Sequence, residues 1–496
     1  MIDRILQQLT YNPHEPLIFS SGLFLFLFLG FTFCYMLMQH TRTLRLLFVT
    51  AFSYYFYYKS SGFYFFLLAV VTLSDYLIAK KIHQNAAATA YRSPLGSRLL
   101  VALSLLIDLG LLGYFKYTNF FAGLWAQLVG ANFQPWDIFL PVGISFFTFQ
   151  SMSYVIDVYR SDLKPLSSLL DYAFYVSFFP QLVAGPIVRA RDFAPQIRQP
   201  LRVTDEMFAR GVFFVMTGLF KKAVISDYIS LNFVDRIFDS PSLYSGVENL
   251  LGAYGYAMQI YCDFSGYSDM AIGIALLLGF RFPMNFNAPY TSQSITDFWR
   301  RWHISLSSWI RDYIYISMGG NRRGKVRQYF NLIVTMLLGG LWHGASLNFV
   351  AWGGMHGVAL AVHKWTREHL FHHDKHYESR GWRRVASVVL TFHFVVFCWI
   401  FFRNHTFEAS WTMIVKIFTD FHPGLFLQVV EGYWAVFAMI LFGYVSHFVP
   451  DRWCDVCVGI IRRGGVLLAA LLIAAVVYMV VQVKSSEIQP FIYFQF

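Results

Sequence analysis

The sequence contains few charged residues and few cysteines. Only 14% of its 496 residues are Asp, Glu, Lys or Arg, whereas soluble globular proteins carry about a quarter. The five cysteines are Cys34, Cys262, Cys398, Cys454 and Cys457. Because Cys454 and Cys457 form a single CxxC pair with no second pair, ordinary thiols are favoured over zinc ligands, and we expect no metal site.

Three common enzyme motifs are also missing. The sequence has no glycine-rich phosphate loop, no Gly-x-Ser-x-Gly nucleophile turn and no His-Glu-x-x-His pair. A covalent serine or cysteine nucleophile therefore has no support, and we expect no bound cofactor. The sequence also contains no internal repeat in the range of about 20–50 residues that marks repeat proteins.

Apolar segments dominate the sequence instead. It is 56% hydrophobic and 19% aromatic, and apolar runs of about 18 or more residues are typical of transmembrane helices. Candidate spans lie at residues 17–38, 45–58, 63–79, 99–115, 138–158, 169–188, 207–225, 250–280, 331–342, 347–362, 385–402, 433–449 and 465–483. Several are short or interrupted, so we expect an all-α polytopic membrane protein with about 11–13 spans, forming a single domain over residues 1–496.

The net charge is +11, from 39 Lys and Arg against 28 Asp and Glu. Basic residues cluster after the first, third and fifth candidate spans, and cytoplasmic loops carry such an excess. These residues are His40, Arg42 and Arg45, then Lys80, Lys81, Arg92 and Arg98, then Arg160 and Lys164. The pattern predicts an external N-terminus. No recognised nucleic-acid-binding motif accompanies the charge, so no nucleic acid partner is expected. The first sixteen residues lack an apolar core, so a removable signal peptide is not expected.

The candidate span at 169–188 conflicts with this topology, because a simple crossing would place the basic stretch after it outside. Phe179-Pro180 and Gly185-Pro186 interrupt the segment, and proline removes a backbone donor and disfavours helix before it. We therefore expect a re-entrant hairpin that returns to the cytoplasm. Such backbone is tolerated where protein or a water-filled cavity covers it.

Residues 297–313 concentrate charge and aromatic rings in an otherwise apolar chain. Helical spacing would place Trp299, His303 and Ser307 on one face. An interfacial amphipathic helix accounts for the arginines and tryptophans of this segment, but it explains His303 less well.

A second histidine, His343, follows an apolar segment and is surrounded by small residues. Gly339, Gly340, Gly344 and Ala345 let backbones or a ligand approach closely. Ionisable groups near bilayer depth are costly and are functional-site candidates, and a desolvated imidazole stays neutral and can accept a proton. A core histidine bonded between helices is the open alternative.

Residues 261–269 place two carboxylates and several hydroxyls within the candidate span 250–280. The pattern predicts either a broken helix that lines a cavity or hydrogen bonding to unwound backbone. Asp263, Ser265 and Tyr267 are candidate substrate-binding residues.

Three motifs in order carry a family resemblance. They are Phe282-Pro-Met-Asn-Phe-Asn-Ala-Pro-Tyr290, the segment Ser294-Ile-Thr-Asp-Phe-Trp-Arg-Arg-Trp-His-Ile-Ser-Leu-Ser-Ser-Trp, and Gly340-Leu-Trp-His-Gly-Ala. The sequence resembles the membrane-bound O-acyltransferase family. Within it, the sequence is similar to the bacterial branch that includes alginate O-acetylation and teichoic-acid D-alanyl transfer proteins. The resemblance is densest at residues 261–357, whereas 406–496 match only as membrane helices.

The resemblance implies a ring of tilted helices around a central tunnel, in the bacterial inner membrane. It implies catalytic roles for His343 and His303, and Trp302, Trp342 and Asn348 join the candidate substrate-binding residues. The implied reaction moves an acyl group, acetyl first among the candidates, from a cytoplasmic thioester (acetyl-CoA or an acyl carrier protein) to an outer hydroxyl. The acceptor would be a cell-surface polysaccharide or an intermediary protein, with an outer-face or periplasmic acyltransferase partner and membrane lipid around the chain.

From this resemblance we expect His343 to accept the hydroxyl proton and His303 to orient the reactants or donate to the developing oxyanion. One alternative is D-alanyl transfer toward teichoic acid. An alternative of another class is a transporter or lipid flippase, which broken helices with buried polar groups would support.

Overall fold

The computed structural model describes residues 7–13, 15–38, 40–88, 95–370 and 379–483. Across these ranges the chain is helical and contains no β-strand, which confirms the expected all-α class. Arg92, one of the residues used in the charge argument, lies outside the described ranges. The chain divides into two compact units, and the single-domain expectation stays a prediction.

The first unit comprises Met1–Val215 and Met270–Pro283. Its helices are α1 Gly22–Leu37, α2 Arg42–Ser61, α3 Phe65–Ala88, α4 Leu95–Leu112, α5 Thr118–Val129, α6 Ile144–Tyr159, α7 Leu169–Ser177, α8 Phe179–Leu182, α9 Ala190–Arg198 and α10 Asp205–Leu219, whose last residues belong to the second unit.

The second unit comprises Met216–Asp269 and Met284–Phe496. Its helices are α11 Asp227–Ile229, α12 Asp235–Asp239, α13 Gly246–Leu277 (which ends in the first unit), α14 Ile295–Arg301, α15 Ile304–Ile310, α16 Lys325–His343, α17 Leu347–His369, α18 Trp382–Arg403, α19 Phe407–Thr419, α20 Leu425–Gly432, α21 Trp434–Ser446 and α22 Asp451–Val483. Phe220–Ser226 and Arg311–Tyr315 are π-helical.

Four helical stretches in the described residues are long and apolar enough to cross a membrane. They are Arg42–Ala87, Leu95–Val129, Trp382–Arg403 and Asp451–Val483, and the pair α20 and α21, bent by 90°, would make a fifth. Several spans are thus confirmed, but fewer helices meet this test than the expected 11–13. The difference arises because many apolar runs fold as shorter helices, such as α6 with 16 residues and α7 with 9.

The predicted interruption of residues 169–188 is confirmed. α7 ends at Ser177, Phe178 leaves the helical conformation, and α8 contains only four residues including Pro180. This irregular backbone is covered by protein, since Phe178 and Pro180 are buried and the Tyr175 hydroxyl donates to the carbonyl of Val188 at 2.9 Å. Coverage of this kind is what non-helical backbone in a membrane protein requires. The return to the cytoplasm stays a prediction.

Candidate active site

His303 lies at a break between two short helices. α14 ends at Arg301 and α15 begins at Ile304, and His303 between them has φ 43° and ψ 56°. This left-handed conformation is uncommon for a residue other than glycine. The single helix expected over residues 297–313 is therefore wrong, and Trp299, His303 and Ser307 do not share one helical face.

The segment around Asn285 holds this break in place. The N–H of Ile304 donates to the main-chain carbonyl of Asn285, and the N–H of Asn287 donates to the carbonyl of Arg301, both at 2.9 Å. These bonds satisfy backbone groups that would otherwise be left unpaired at two helix ends. Because the partners come from a distant part of the chain, the periodicity of residues 297–313 could not reveal the break.

The side chain of Asn285 is buried and fully engaged. Its Oδ1 accepts hydrogen bonds from the N–H of Ser305 at 3.1 Å and from the hydroxyl of Ser305 at 2.9 Å. The same oxygen lies 3.2 Å from Nδ1 of His303. On the other side, Nδ2 of Asn285 donates to the Ser268 hydroxyl at 3.1 Å. One amide thus ties together the left-handed residue, the start of α15 and helix α13.

The imidazole of His303 is fully buried among aromatic rings. Its ring centre lies 4.6 Å from that of Phe264 and 6.5 Å from that of Phe286. Nε2 makes no hydrogen bond within the described part of the chain. Neither short helix beside His303 can span a membrane, and burial lowers the pKa of this imidazole to about 3. His303 is therefore neutral at physiological pH.

His343 is the last residue of α16 and is 3% exposed. Its ring lies 5.1 Å from that of Trp352 and 5.2 Å from that of Phe402. The imidazole thus ends an apolar helix, as the sequence predicts, and lies against the aromatic rings of Trp352 and Phe402.

Trp342 connects the two histidines. Its ring centre lies 4.9 Å from that of His343 and 6.3 Å from that of His303. Residues 40 positions apart in the sequence therefore contact the same buried indole, which brings both candidate catalytic side chains into one neighbourhood.

The glycines near His343 serve close helix packing. A Cβ on Gly340 would meet the carbonyl oxygen of Phe349 and would lie 3.1 Å from Cα of Gly353, and a Cβ on Gly344 would collide with the Phe349 ring. Both neighbours belong to α17. Of the two uses expected for these small residues, close approach of backbones is confirmed for Gly340.

Asp263, Ser265 and Tyr267 lie on α13, which is one continuous helix of 32 residues. The broken helix expected at residues 261–269 is therefore wrong. All three side chains are buried. Asp263 Oδ1 lies 2.5 Å from Nζ of Lys222, and Asp269 Oδ2 lies 2.7 Å from Nζ of Lys221.

Both lysines belong to the π-helical segment Phe220–Ser226, which the sequence predicted as part of a span. Because each carboxylate has its own cation, α13 can bury them without unwinding. This pairing favours a structural role for Asp263, and its role in substrate binding stays a prediction.

The remaining predicted residues lie in well-packed surroundings. The ring of Trp302 packs 5.0 Å from that of Trp399 and 5.1 Å from that of Phe286. Nδ2 of Asn348 donates to the carbonyl of Asn404 at 2.7 Å. These contacts favour structural roles for Trp302 and Asn348, whereas the ring of Trp342 contacts both histidines.

Two residues near the site were not singled out from the sequence. Asn285 lies within the quoted motif 282–290, but nothing local to that motif links it to His303. His356 is fully buried, lies 4.8 Å ring to ring from Trp352 and accepts a hydrogen bond from Nε1 of Trp299 at 3.3 Å. Its position 13 residues after His343 in a small-residue stretch was the one available signal.

Metal ligands do not cluster at this site. Throughout the ranges that the structure describes, no group of three or more His, Cys, Asp or Glu side chains is arranged to hold a metal ion. Cys454 and Cys457 are exposed on α22.

Fold and site together define a multi-pass, all-α membrane protein with two buried histidines around one tryptophan. Residues 100–386 match the protein-family model described as "MBOAT, membrane-bound O-acyltransferase family". The chain belongs to this family and is an O-acyltransferase.

Curated relatives agree with this assignment. The chain is 42% identical to the "Probable alginate O-acetylase AlgI" of Azotobacter vinelandii over 407 residues, which cover 81% of this chain and 78% of the relative. It is 37% identical to a peptidoglycan O-acetyltransferase of Helicobacter pylori, over 79% of this chain and 78% of that protein. It is 30% identical to a teichoic acid D-alanyltransferase of Bacillus subtilis, over 55% of this chain and 71% of that protein.

Proposed function

We propose that this protein transfers an acetyl group from a cytoplasmic thioester, across the membrane, to a hydroxyl of a cell-surface polysaccharide or of an intermediary protein. The observation that carries this proposal is the contact of His303 and His343 with the same buried Trp342. The names of the relatives support acetyl as the group and a cell-envelope polymer as the acceptor.

The reaction needs one proton acceptor and one stabiliser of negative charge. The acceptor hydroxyl loses its proton to an imidazole as its oxygen attacks the thioester carbonyl, and a hydrogen-bond donor stabilises the oxyanion. Collapse of the tetrahedral intermediate breaks the carbon–sulfur bond. The imidazolium then returns the proton to the departing thiolate, which yields an ester and a free thiol.

Two buried histidines suit this chemistry. A neutral imidazole carries one acceptor nitrogen and one donor nitrogen, and hydrogen bonds are stronger in a medium of low dielectric constant. We propose that His303 and His343 divide these two tasks. The sequence favours His343 as the proton acceptor, which leaves His303 to orient the reactants or to support the oxyanion.

The proposal includes the location and the partners of the enzyme. The protein lies in the bacterial inner membrane with an external N-terminus, because the basic loops favour the cytoplasmic side. Acetyl-CoA or an acylated carrier protein supplies the acetyl group from the cytoplasm. An outer-face or periplasmic acyltransferase accepts it or passes it on to the polysaccharide.

Transport or lipid flipping loses part of its support in this structure. That alternative rested on broken helices with buried polar groups, and the helix at residues 261–269, where two carboxylates lie, is continuous in α13. D-alanyl transfer remains the alternative within the family, supported by the relative from Bacillus subtilis.

The test is acyl transfer by the purified protein in proteoliposomes. Carbon-labelled acetyl-CoA, acetylated carrier protein and D-alanylated carrier protein are supplied separately on the outside of vesicles that contain envelope polysaccharide. Covalent label on the polysaccharide with an acetyl donor supports the proposal. Label from the D-alanyl donor alone identifies the alternative, and uptake of unreacted donor without covalent product overturns acyl transfer.

A further inference from the structure

The side-chain oxygen of Asn285 lies within hydrogen-bonding distance of three groups: the N–H of Ser305, the hydroxyl of Ser305 and Nδ1 of His303. The backbone N–H of Ser305 can only donate, so the atom 3.1 Å from it must be the oxygen of the amide and not its nitrogen. The bond from Nδ2 to the Ser268 hydroxyl agrees with the same orientation. The orientation of the Asn285 amide is thereby determined by its partners.

This orientation determines where the proton of His303 lies. Nδ1 of His303 is 3.2 Å from the same oxygen, and two acceptors cannot share a hydrogen bond, so Nδ1 must carry the proton. In a neutral imidazole the other nitrogen is then an acceptor. Nε2 therefore presents a lone pair, and it makes no hydrogen bond within the described residues.

We infer that Asn285 is a positioning residue that holds His303 in its Nδ1–H tautomer, so that Nε2 of His303 accepts a hydrogen bond from the attacking hydroxyl and orients it. His343 is then the acceptor of the hydroxyl proton. This inference rests on the proposed acyl transfer for its purpose but not for its test.

Asn285 also fixes the backbone conformation of His303. The left-handed conformation of this residue, with φ 43°, is strained and persists only where the surroundings enforce it. The carbonyl of Asn285 enforces it by accepting the N–H of Ile304, while the side chain of Asn285 binds Nδ1. One residue therefore sets both the position and the tautomer of the imidazole.

A purely structural role for Asn285 would look different in experiment. If Asn285 only closed the helix break, any side chain that accepts from Ser305 would preserve activity and its pH dependence. Asn285→Asp keeps this acceptor but adds a negative charge beside Nδ1. A carboxylate at this distance stabilises the imidazolium and raises the pKa of His303 by about 1–3 pH units.

The direct experiment observes the histidine nitrogens in the full-length protein. Protein labelled with ¹⁵N-histidine is reconstituted in liposomes, and magic-angle-spinning spectra are recorded with and without the His303→Gln substitution, which identifies the signals of His303. We expect a protonated Nδ1 and an unprotonated Nε2. A protonated Nε2 together with an unprotonated Nδ1 would overturn the inference, whether or not the protein transfers acetyl groups.

Variants of Asn285 then test whether this residue causes the preference of His303 for the Nδ1–H tautomer. In Asn285→Leu, we expect His303 to lose its preference for Nδ1–H. We also expect kcat to fall about 10–100-fold, as for other residues that orient a functional histidine, with a smaller change in KM. In Asn285→Asp, Nδ1 stays protonated and Nε2 titrates at higher pH. Asn287→Leu and Asn287→Asp are the matched controls, because Asn287 is exposed and contacts this site through its backbone alone.

The outcomes separate the inference from the proposed function. If Asn285→Leu fails to fold, as judged by size-exclusion chromatography, the inference is tested by the titration of His303 in Asn285→Asp. Signals of His303 that are identical in Asn285→Asp and in the wild type contradict the inference. An altered titration of His303 in a protein that makes no acyl product would sustain the inference about the tautomer and remove the proposed function.

Discussion

The ammonium group of Lys222 lies 2.5 Å from the carboxylate of Asp263, and each side chain is only 3% exposed. Lys222 also contacts Asp227 at 2.7 Å. Moving a charge from water into a protein interior costs several kcal/mol, which only close pairing offsets. This contact explains how α13 carries carboxylates through its buried middle as a continuous helix.

Lys222→Met should therefore destabilise the fold. Removal of one partner from a buried ion pair typically costs about 3–5 kcal/mol, so we expect a much lower yield of monodisperse protein and a lower Tm in detergent. Lys416→Met is the control, because its partner Asp420 is 36% exposed and such pairs contribute about 0–1 kcal/mol. A Lys222→Met variant as stable as the control would show that the pair is dispensable.

His343→Ala should abolish acyl transfer while the protein folds and inserts normally. Loss of a general base costs about 10²–10⁴-fold in rate. The measurement is the initial rate with labelled thioester, normalised to protein in the membrane. His422→Ala, at an exposed site, is the matched control. A variant that keeps more than about a tenth of the wild-type rate would exclude His343 from the mechanism, given that range.

The two histidines should act as one unit. Both side chains contact Trp342, so we expect the double variant His303→Ala, His343→Ala to be about as inactive as the less active of the two single variants. The reason is that the second substitution removes a group that no longer contributes to catalysis. The measurement is kcat/KM for all four proteins. Losses that multiply would instead place His303 in donor binding or in support of the helix break.

Gly340→Ala should weaken the packing of α16 on α17. The added Cβ would meet the carbonyl oxygen of Phe349, which is backbone and cannot rotate away, and overpacking of this kind costs about 1–3 kcal/mol. The matched control is Gly339→Ala, where the nearest atom is Cδ1 of Ile310 at 3.7 Å. Thermal unfolding should separate the two variants, and equal Tm values would contradict the close approach.

Topology can be tested at Gln199, which is exposed just after α9. If residues 169–188 form a hairpin that returns to the cytoplasm, a cysteine here stays unlabelled by an impermeant thiol reagent outside intact cells. It becomes labelled after permeabilisation. Ala190 is unsuitable for this test because it is 1% exposed, and the exposed Cys454 and Cys457 must first be changed to serine. Labelling of intact cells would make the segment a true span.

The sequence by itself determined the class of this protein. Its long apolar runs indicate membrane-spanning helices, because a helix satisfies its own backbone hydrogen bonds within lipid. Proline at position 180 broke the helix where expected, since the ring removes a donor whatever the surroundings are. The motifs around His303 and His343 also identified the family before any contact was known.

Tertiary structure decided what local pattern could not. Helical periodicity predicted one helix through His303, and the polar residues at 261–269 predicted a broken helix through Asp263, and both predictions were wrong. In each case distant residues supplied the missing interactions: Asn285 satisfied the helix ends around His303, and Lys222 neutralised Asp263. A buried polar group takes whatever partner the fold brings to it, so only the fold decides whether a polar residue interrupts a helix, stabilises it or orients a catalytic imidazole.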